Sequence, residues 1–163
     1  MKLWDKGISI DKKIEQFTVG NDRELDQYLA AYDLKASKAH ARMLGASGLI
    51  SEREASLLVQ GLEQLETQLE KGEFHSEEAF EDVHSKIEWE LTQRLGEIGK
   101  KIHTARSRND QVLVAMQLYL KDNVSGIRDQ VVELINVLLQ LAEKHQHQLL
   151  PGYTHLQVAM PSS

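Results

Sequence analysis

Three short segments hold most of the residues suited to chemistry. The densest is Lys100-Lys101-Ile102-His103-Thr104-Ala105-Arg106-Ser107-Arg108-Asn109-Asp110-Gln111, which places four Lys/Arg within nine residues. Arg106 and Arg108 carry planar forks that can grip a carboxylate or phosphate through paired hydrogen bonds. Thr104, Ser107 and Asn109 add neutral donors able to fix an orientation. Ser107 and Asp110 have the spacing of a capping box, so backbone N–H groups and the positive end of a helix dipole would face the same way as the basic side chains. That combination predicts an anion site, and the plain alternative is a solvated basic turn ahead of a helix.

The second segment is Pro151-Gly152-Tyr153-Thr154-His155-Leu156-Gln157. Pro and Gly stop a helix, and a donor-rich cluster follows on the turn. A histidine titrates nearest neutral pH, which makes His155 the natural acid/base candidate, against the alternative of an exposed turn residue. In the third segment, Glu81-Asp82-Val83-His84-Ser85-Lys86-Ile87-Glu88, His84 and Glu88 share a helix face at i,i+4. They supply two metal ligands and no third at helical spacing, so no metal site is expected. His145 and His147 fall on different faces at a helix end and read as polar surface.

What must hold these segments follows from the rest of the chain. Its 163 residues suit one domain, or one domain plus part of another, and 41% hydrophobic with 27% charged residues is a globular composition. The absence of cysteine excludes disulfide frameworks, cysteine-based zinc sites and thiol nucleophiles. A net charge of −6 argues against a general nucleic-acid binder. Met1-Lys2-Leu3-Trp4-Asp5-Lys6 lacks the apolar core of a signal peptide, and the most apolar run, 131–142, is broken by Glu133, Asn136 and Gln140. A cytoplasmic location without membrane contact is the expectation.

Proline occurs only at 151 and 161, which leaves long helices uninterrupted. No period-two alternation bounded by a hairpin turn signal appears, so no sheet is expected. Asn21 or Asp22 can cap a helix carrying Leu25, Tyr28, Leu29, Tyr32, Ala36, Ala39 and Met43, ended by Gly45 and Gly48. Ser51-Glu52-Arg53-Glu54 is a capping box that opens a helix carrying Leu58, Leu62, Leu65 and Leu69 up to Gly72, and the two form an αα-hairpin. A third helix is expected from near Ser76, with Phe80, Val83, Ile87, Leu91 and Leu95 on its apolar side before Gly96 and Gly99.

From Ser107 the scale changes. Leu113, Met116, Leu120, Val124, Ile127, Val131, Leu134, Leu138 and Leu141 are spaced by three and four, with one stutter at Val124. One helix running to Leu150 would measure roughly 65 Å at 1.5 Å per residue. Such a stripe needs other long helices beside it. The expected organisation is all-α, with an N-terminal helical domain over 1–106 and, over 107–163, the first long helix of a multi-helix bundle and the following turn. With no closing element after Pro161-Ser162-Ser163, the chain reads as a piece of a longer protein or a domain completed by self-association.

The run His103-Thr104-Ala105-Arg106-Ser107-Arg108-Asn109-Asp110-Gln111, with Glu81-Asp82-Val83-His84 before it and Pro151-Gly152-Tyr153-Thr154-His155-Leu156-Gln157 after it, resembles the N-terminal part of the argininosuccinate lyase family. These are members of the fumarase/aspartase superfamily, as are the lens δ-crystallins. Leu3-Trp4 and Asp33 followed by Ala36-Ser37-Lys38-Ala39 match in order and spacing, so the resemblance covers the whole chain. Departures are Ala105 where the family usually has Gly, Val158 where it has Arg and Met160 where it has Gln; the early loop 17–22 lacks the family's substrate-binding serine. Family members are nearly three times as long, and their Gly-Ser-Ser-x-Met-Pro loop, which supplies a serine acid/base, has no counterpart here.

The resemblance implies reversible cleavage of argininosuccinate to arginine and fumarate, in arginine biosynthesis. It implies that Asn109 and Thr154 hold the succinyl part of the substrate, that His155 takes part in proton transfer, and that Ser107, Arg108 and His84 line the site. It implies a homotetramer whose active sites each draw on different subunits, with no metal or organic cofactor. This piece alone is expected to be inactive. The rival is a structural or assembly protein, crystallin-like and without turnover, for which the dense polar run at 103–111 would have no use.

Overall fold

The computed structural model describes residues 14, 17, 20–74, 80 and 82–162. Leu3-Trp4, Ser76 and Glu81, and Thr18 and Val19 of the early loop, lie outside the described residues. The elements among the described residues are, in order, α1 (Asp22–Leu25), a 3₁₀ turn (Asp26–Leu29), α2 (Ala30–Ala46), α3 (Glu52–Glu70), α4 (Val83–Leu95), α5 (Glu97–Lys100), a second 3₁₀ turn (Lys101–His103), α6 (Arg108–His145), β1 (Leu150–Thr154) and β2 (Gln157–Ser162). The fold is predominantly all-α. The chain divides into two compact units, Met1–Leu120 and Lys121–Ser163.

In the first unit α2 and α3 form the expected αα-hairpin. Ser51 caps α3, with its hydroxyl accepting from the Glu54 amide while the Glu54 carboxylate accepts from the Ser51 amide. Both helices bury one face: Leu34, Ala41 and Leu44 of α2 meet Leu58, Leu62 and Leu65 of α3, and Val83, Ile87 and Leu91 of α4 complete the cluster. Each large side chain sealed in this way contributes about 1.5–3 kcal/mol. The hairpin closes tightly because a Cβ on Gly45 would lie 2.7 Å from that of Ala55.

The inward face of α2 is rotated from the one expected. The helix expected from Asn21 or Asp22 is divided into α1, the 3₁₀ turn and α2, with Leu25 and Tyr28 exposed in the first two. Within α2, Ala39 and Met43 are exposed, whereas Ala30, Asp33, Leu34, Ser37, Ala41 and Leu44 are buried. Two polar residues, Asp33 and Ser37, belong to the buried stripe, and an apolar periodicity necessarily passes over them. The third helix begins at Val83 after Asp82 as N-cap, with Phe80 outside any helix. The Asp82 carboxylate accepts from the Ser85 amide at 2.6 Å and this cap sets the start of α4, while the start expected near Ser76 lies outside the described residues.

In the second unit α6 stops at His145 and not at Leu150. The Gln148 amide donates to the His145 carbonyl at 2.9 Å and the Gln146 side chain donates to the Glu143 carbonyl at 3.0 Å, so the last turn is closed by its own followers. Beyond it lies a β-hairpin, against the expectation of no sheet. β1 and β2 pair antiparallel, with Tyr153 opposite Val158 and Thr154 opposite Gln157. His155 and Leu156 form the two-residue turn with φ of +48° and +63°. Type I′ turns need both central residues left-handed and usually advertise themselves as Asn-Gly; His-Leu carries no such signal.

α4 runs into α5 through Gly96, and the backbone folds back so closely that a Cβ on Gly99 would stand 2.4 Å from the Leu91 carbonyl oxygen. Gly99→Ala should therefore lower stability by about 1–3 kcal/mol, the usual scale of overpacking. Urea unfolding followed by circular dichroism checks this, and an unchanged midpoint would show that the turn yields at no cost.

Candidate active site

Asp33 and Ser37 stand one turn apart on the buried face of α2. Asp33 is fully buried, and an isolated carboxylate there would cost several kcal/mol, so its oxygens must be met by donors. His84 Nδ1 of α4 donates to one oxygen at 2.8 Å, the Ser37 hydroxyl to the other at 3.0 Å, and the Gln111 amide of α6 to both at 2.8 and 3.0 Å. Both Nη atoms of Arg106 donate to the Ser37 oxygen at 3.1 Å. Burial pushes the Arg106 guanidinium below its usual range, and the Asp33 charge pulls it partly back.

The loop entering α6 is held from the same helix. His40 Nε2 lies 2.9 Å from the Thr104 carbonyl and donates to it, while burial holds the His40 imidazole below its ordinary value. Directly after that anchor the backbone turns through Ala105 at φ +58°, a left-handed conformation that costs a residue with a Cβ about 1–2 kcal/mol. Glycine, which the family resemblance leads one to expect there, would avoid that cost. Ser107 then caps α6 as expected: its amide and hydroxyl donate to the Asp110 carboxylate at 2.8 and 2.9 Å, and the Asp110 amide donates back to the hydroxyl at 3.3 Å.

The basic run is arranged differently from a free anion trap. Lys100 pairs with Glu97, and Lys101 with Glu54, whose carboxyl Lys101 and Ser51 hold down at about 2. Arg108 donates to the Gln111 carbonyl oxygen at 3.0 Å, to the Ser85 hydroxyl at 3.3 Å and to Glu88 at 3.5 Å, with Asp82 3.9 Å from its Nε. Each cation of the run thus has a partner inside the protein. Asn109 is exposed and its side chain makes no hydrogen bond among the described residues, so its amide is the donor left open at the helix start.

His84, Ser107, Arg108 and Asn109 all belong to the first unit, gathered at the junction of α4 and α6. His84 is buried, and its Nε2 has no partner among the described residues. Thr154 and His155 belong to the second unit, exposed at the end of the hairpin. Among the described residues, the non-glycine residues with positive φ are Ala105, His155 and Leu156. Backbone strain of this kind collects at functional sites, and here it falls entirely within the two donor-rich segments. Sequence reasoning passed over Asp33, Ser37 and Gln111; the signal was an i,i+4 polar pair interrupting the apolar stripe of α2.

The Ser107 amide and hydroxyl hold the Asp110 carboxyl below its ordinary 3.8. A lowered carboxyl stabilises the fold fully above the unfolded value and loses that contribution as pH falls through the folded one. An NMR titration of the Asp110 carboxyl should show a midpoint below 3.8, moved back toward 3.8 in Ser107→Ala. An identical midpoint in both chains would remove the cap from the account.

Comparison with known proteins places the sequence in a family. The family model described as Lyase matches residues 7–163. The argininosuccinate lyase of Bacteroides fragilis is 48% identical over 162 residues, 99% of this chain and 36% of its own length. Those of Sorangium cellulosum and Thermotoga neapolitana are 47% and 44% identical over 163 and 161 residues, 38% and 40% of their lengths. The chain thus spans well under half the length of these relatives, and both donor-rich segments lie inside the matched region. With the match running over residues 7–163, the chain belongs to the Lyase family and is similar along its length to part of these argininosuccinate lyases.

Proposed function

We propose that this chain supplies the N-terminal share of an argininosuccinate lyase, which reversibly cleaves argininosuccinate to arginine and fumarate in arginine biosynthesis. The observation that carries the reading is the match to lyases of that name through the whole of both donor-rich segments. In this reading residues 1–106 form an N-terminal helical domain, and 107–163 the first helix of a central bundle with its turn. The protein works in the cytoplasm and needs no cofactor.

The reaction breaks a C–N bond. A base takes the proton from the carbon beside a carboxylate, and the electron pair left there gives a dianionic intermediate. The pair then forms the double bond of fumarate while the guanidinium nitrogen leaves and takes up a proton. Donors aimed at the developing charge lower the barrier most. Asn109, with its amide open at the capped start of α6, and Thr154 hold the succinyl part. Ser107, Arg108 and His84 line the site, and His155 takes part in proton transfer.

The remaining groups, including a second acid/base, come from chain outside these residues and from neighbouring subunits of a homotetramer. Exposed Leu120, Ile127, Val131, Leu134, Leu138 and Leu141 on α6 support that assembly, since apolar stripes of this length are rarely left in water. Sedimentation from micromolar to millimolar concentration should show self-association through these residues, and a monomer across that range would sink the idea.

A fumarate absorbance assay tests the activity. The chain by itself should release none. Grafted in place of the matching residues of the Bacteroides fragilis relative, it should restore fumarate release. In that chimera His155→Asn should lower kcat by about 10²–10⁴-fold, alter the pH profile near neutrality and leave KM nearly unchanged. Asn109→Ala should lower kcat/KM by roughly 10–150-fold, the loss of about 1.5–3 kcal/mol, without changing the profile. A folded chimera that makes no fumarate would overturn the reading, and an unaltered profile for His155→Asn would make that residue a structural part of the turn.

A further inference from the structure

Among the described residues, no lysine or arginine is hydrogen-bonded to the Asp33 carboxylate. Its donors are neutral groups or an imidazole, and Arg106 reaches it only through the Ser37 hydroxyl, which accepts from the guanidinium and donates to Asp33. Two of the groups around it have a choice of orientation that the carboxylate removes. The first is His84, whose ring is 1% exposed, with Nδ1 2.8 Å from Asp33 Oδ2 and Nε2 buried without a partner among the described residues. A proton on Nε2 would leave a buried donor unmet and turn the Nδ1 lone pair against a carboxylate oxygen. A proton on Nδ1 satisfies both partners.

The second is Gln111. Its amide nitrogen faces both Asp33 oxygens, which can only accept, so the carbonyl oxygen is turned the other way. There it accepts from Arg108 Nη1 at 3.0 Å, and the Arg108 fork is steadied with its other nitrogens toward Ser85, Glu88 and Asp82. Asp33 therefore determines the state of two residues that it reaches from behind, one directly and one through an amide.

We propose that Asp33 is the positioning residue of the candidate active site, its carboxylate holding the His84 proton on Nδ1 and, through Gln111, the direction of the Arg108 guanidinium. The assignment of His84 and Arg108 to a site rests on the lyase reading; the positioning itself does not. An ordinary buried polar cluster would stabilise the helices without dictating a tautomer or a guanidinium direction.

Long-range ¹H–¹⁵N correlation spectra of the full chain, labelled at histidine and arginine, test the proposal. His84 should show a protonated Nδ1 and a bare Nε2, and Arg108 should show separate Nη1 and Nη2 signals from restricted rotation. The reverse tautomer at His84 would overturn it. In Asp33→Asn the new amide cannot serve all its neighbours. Turned one way, it donates to His84 and moves that proton to Nε2. Turned the other way, its oxygen still accepts from His84 and Gln111, but its NH₂ stands where Oδ1 accepted from the Gln111 NH₂ at 3.0 Å, and the repulsion of the two NH₂ groups loosens Gln111 and with it the Arg108 fork.

At least one of the two signatures should change, and a folded variant with both intact would overturn the proposal. Should Asp33→Asn fail to fold, Gln111→Ala decides: His84 should keep its proton on Nδ1 while the Arg108 Nη signals merge. Arg108 signals that stay resolved would break the relay. Expected signatures in a chain whose chimera makes no fumarate would leave the positioning standing and overturn the lyase reading instead.

Discussion

A carboxylate buried away from water must be given hydrogen-bond donors, and α2, α4 and the start of α6 meet that need at Asp33. The donors come from three helices: Ser37 one turn along α2, His84 near the start of α4 and Gln111 in the first turn of α6. Hydrophobic burial along Leu34, Leu58, Leu62 and Leu91 brings the helices together without choosing how they are rotated. The directional bonds to Asp33 make that choice, because each donor reaches the carboxylate in one orientation only.

The loop at 104–107 follows from the same arrangement. α2 anchors it twice, through His40 at the Thr104 carbonyl and through Ser37 at the Arg106 guanidinium. Between those anchors the backbone must reverse, and Ala105 takes the left-handed conformation that reversal demands. Ser107 then caps α6 and leaves the Asn109 amide facing out. A basic run that looks from its composition like a loose anion trap is in fact stitched to Glu54, Ser37, Ser85 and Glu88, so its cations hold the loop in place.

The second unit meets a different constraint. Every residue of α6 from Lys121 onward is exposed within the chain, including a sector of Val, Ile and Leu from Val131 to Leu141 that covers more than one face. A helix apolar on several sides is one that belongs in an interior. The hairpin after it reverses at His155 and Leu156, and thus holds the acid/base candidate exposed and in a left-handed conformation.

The elements whose formation is local were readable from residue order alone. Capping at Ser51 and Ser107 depends on a hydroxyl and a carboxylate three positions apart, and apolar spacing marks α3, most of α4 and the length of α6 to within a few residues. The donor-rich runs at 103–111 and 151–157 were visible by composition, and the family resemblance lies in the order of their residues. Tertiary structure alone decided the rest. Asp33, Gln111 and His84 are 78 and 51 residues apart at their two contacts, and only the packing of three helices makes them partners. The inward rotation of α2 followed those polar contacts and not its apolar period. The hairpin turn was hidden because its left-handed residues are His and Leu, and a backbone held there by strand pairing leaves no mark in the residue types.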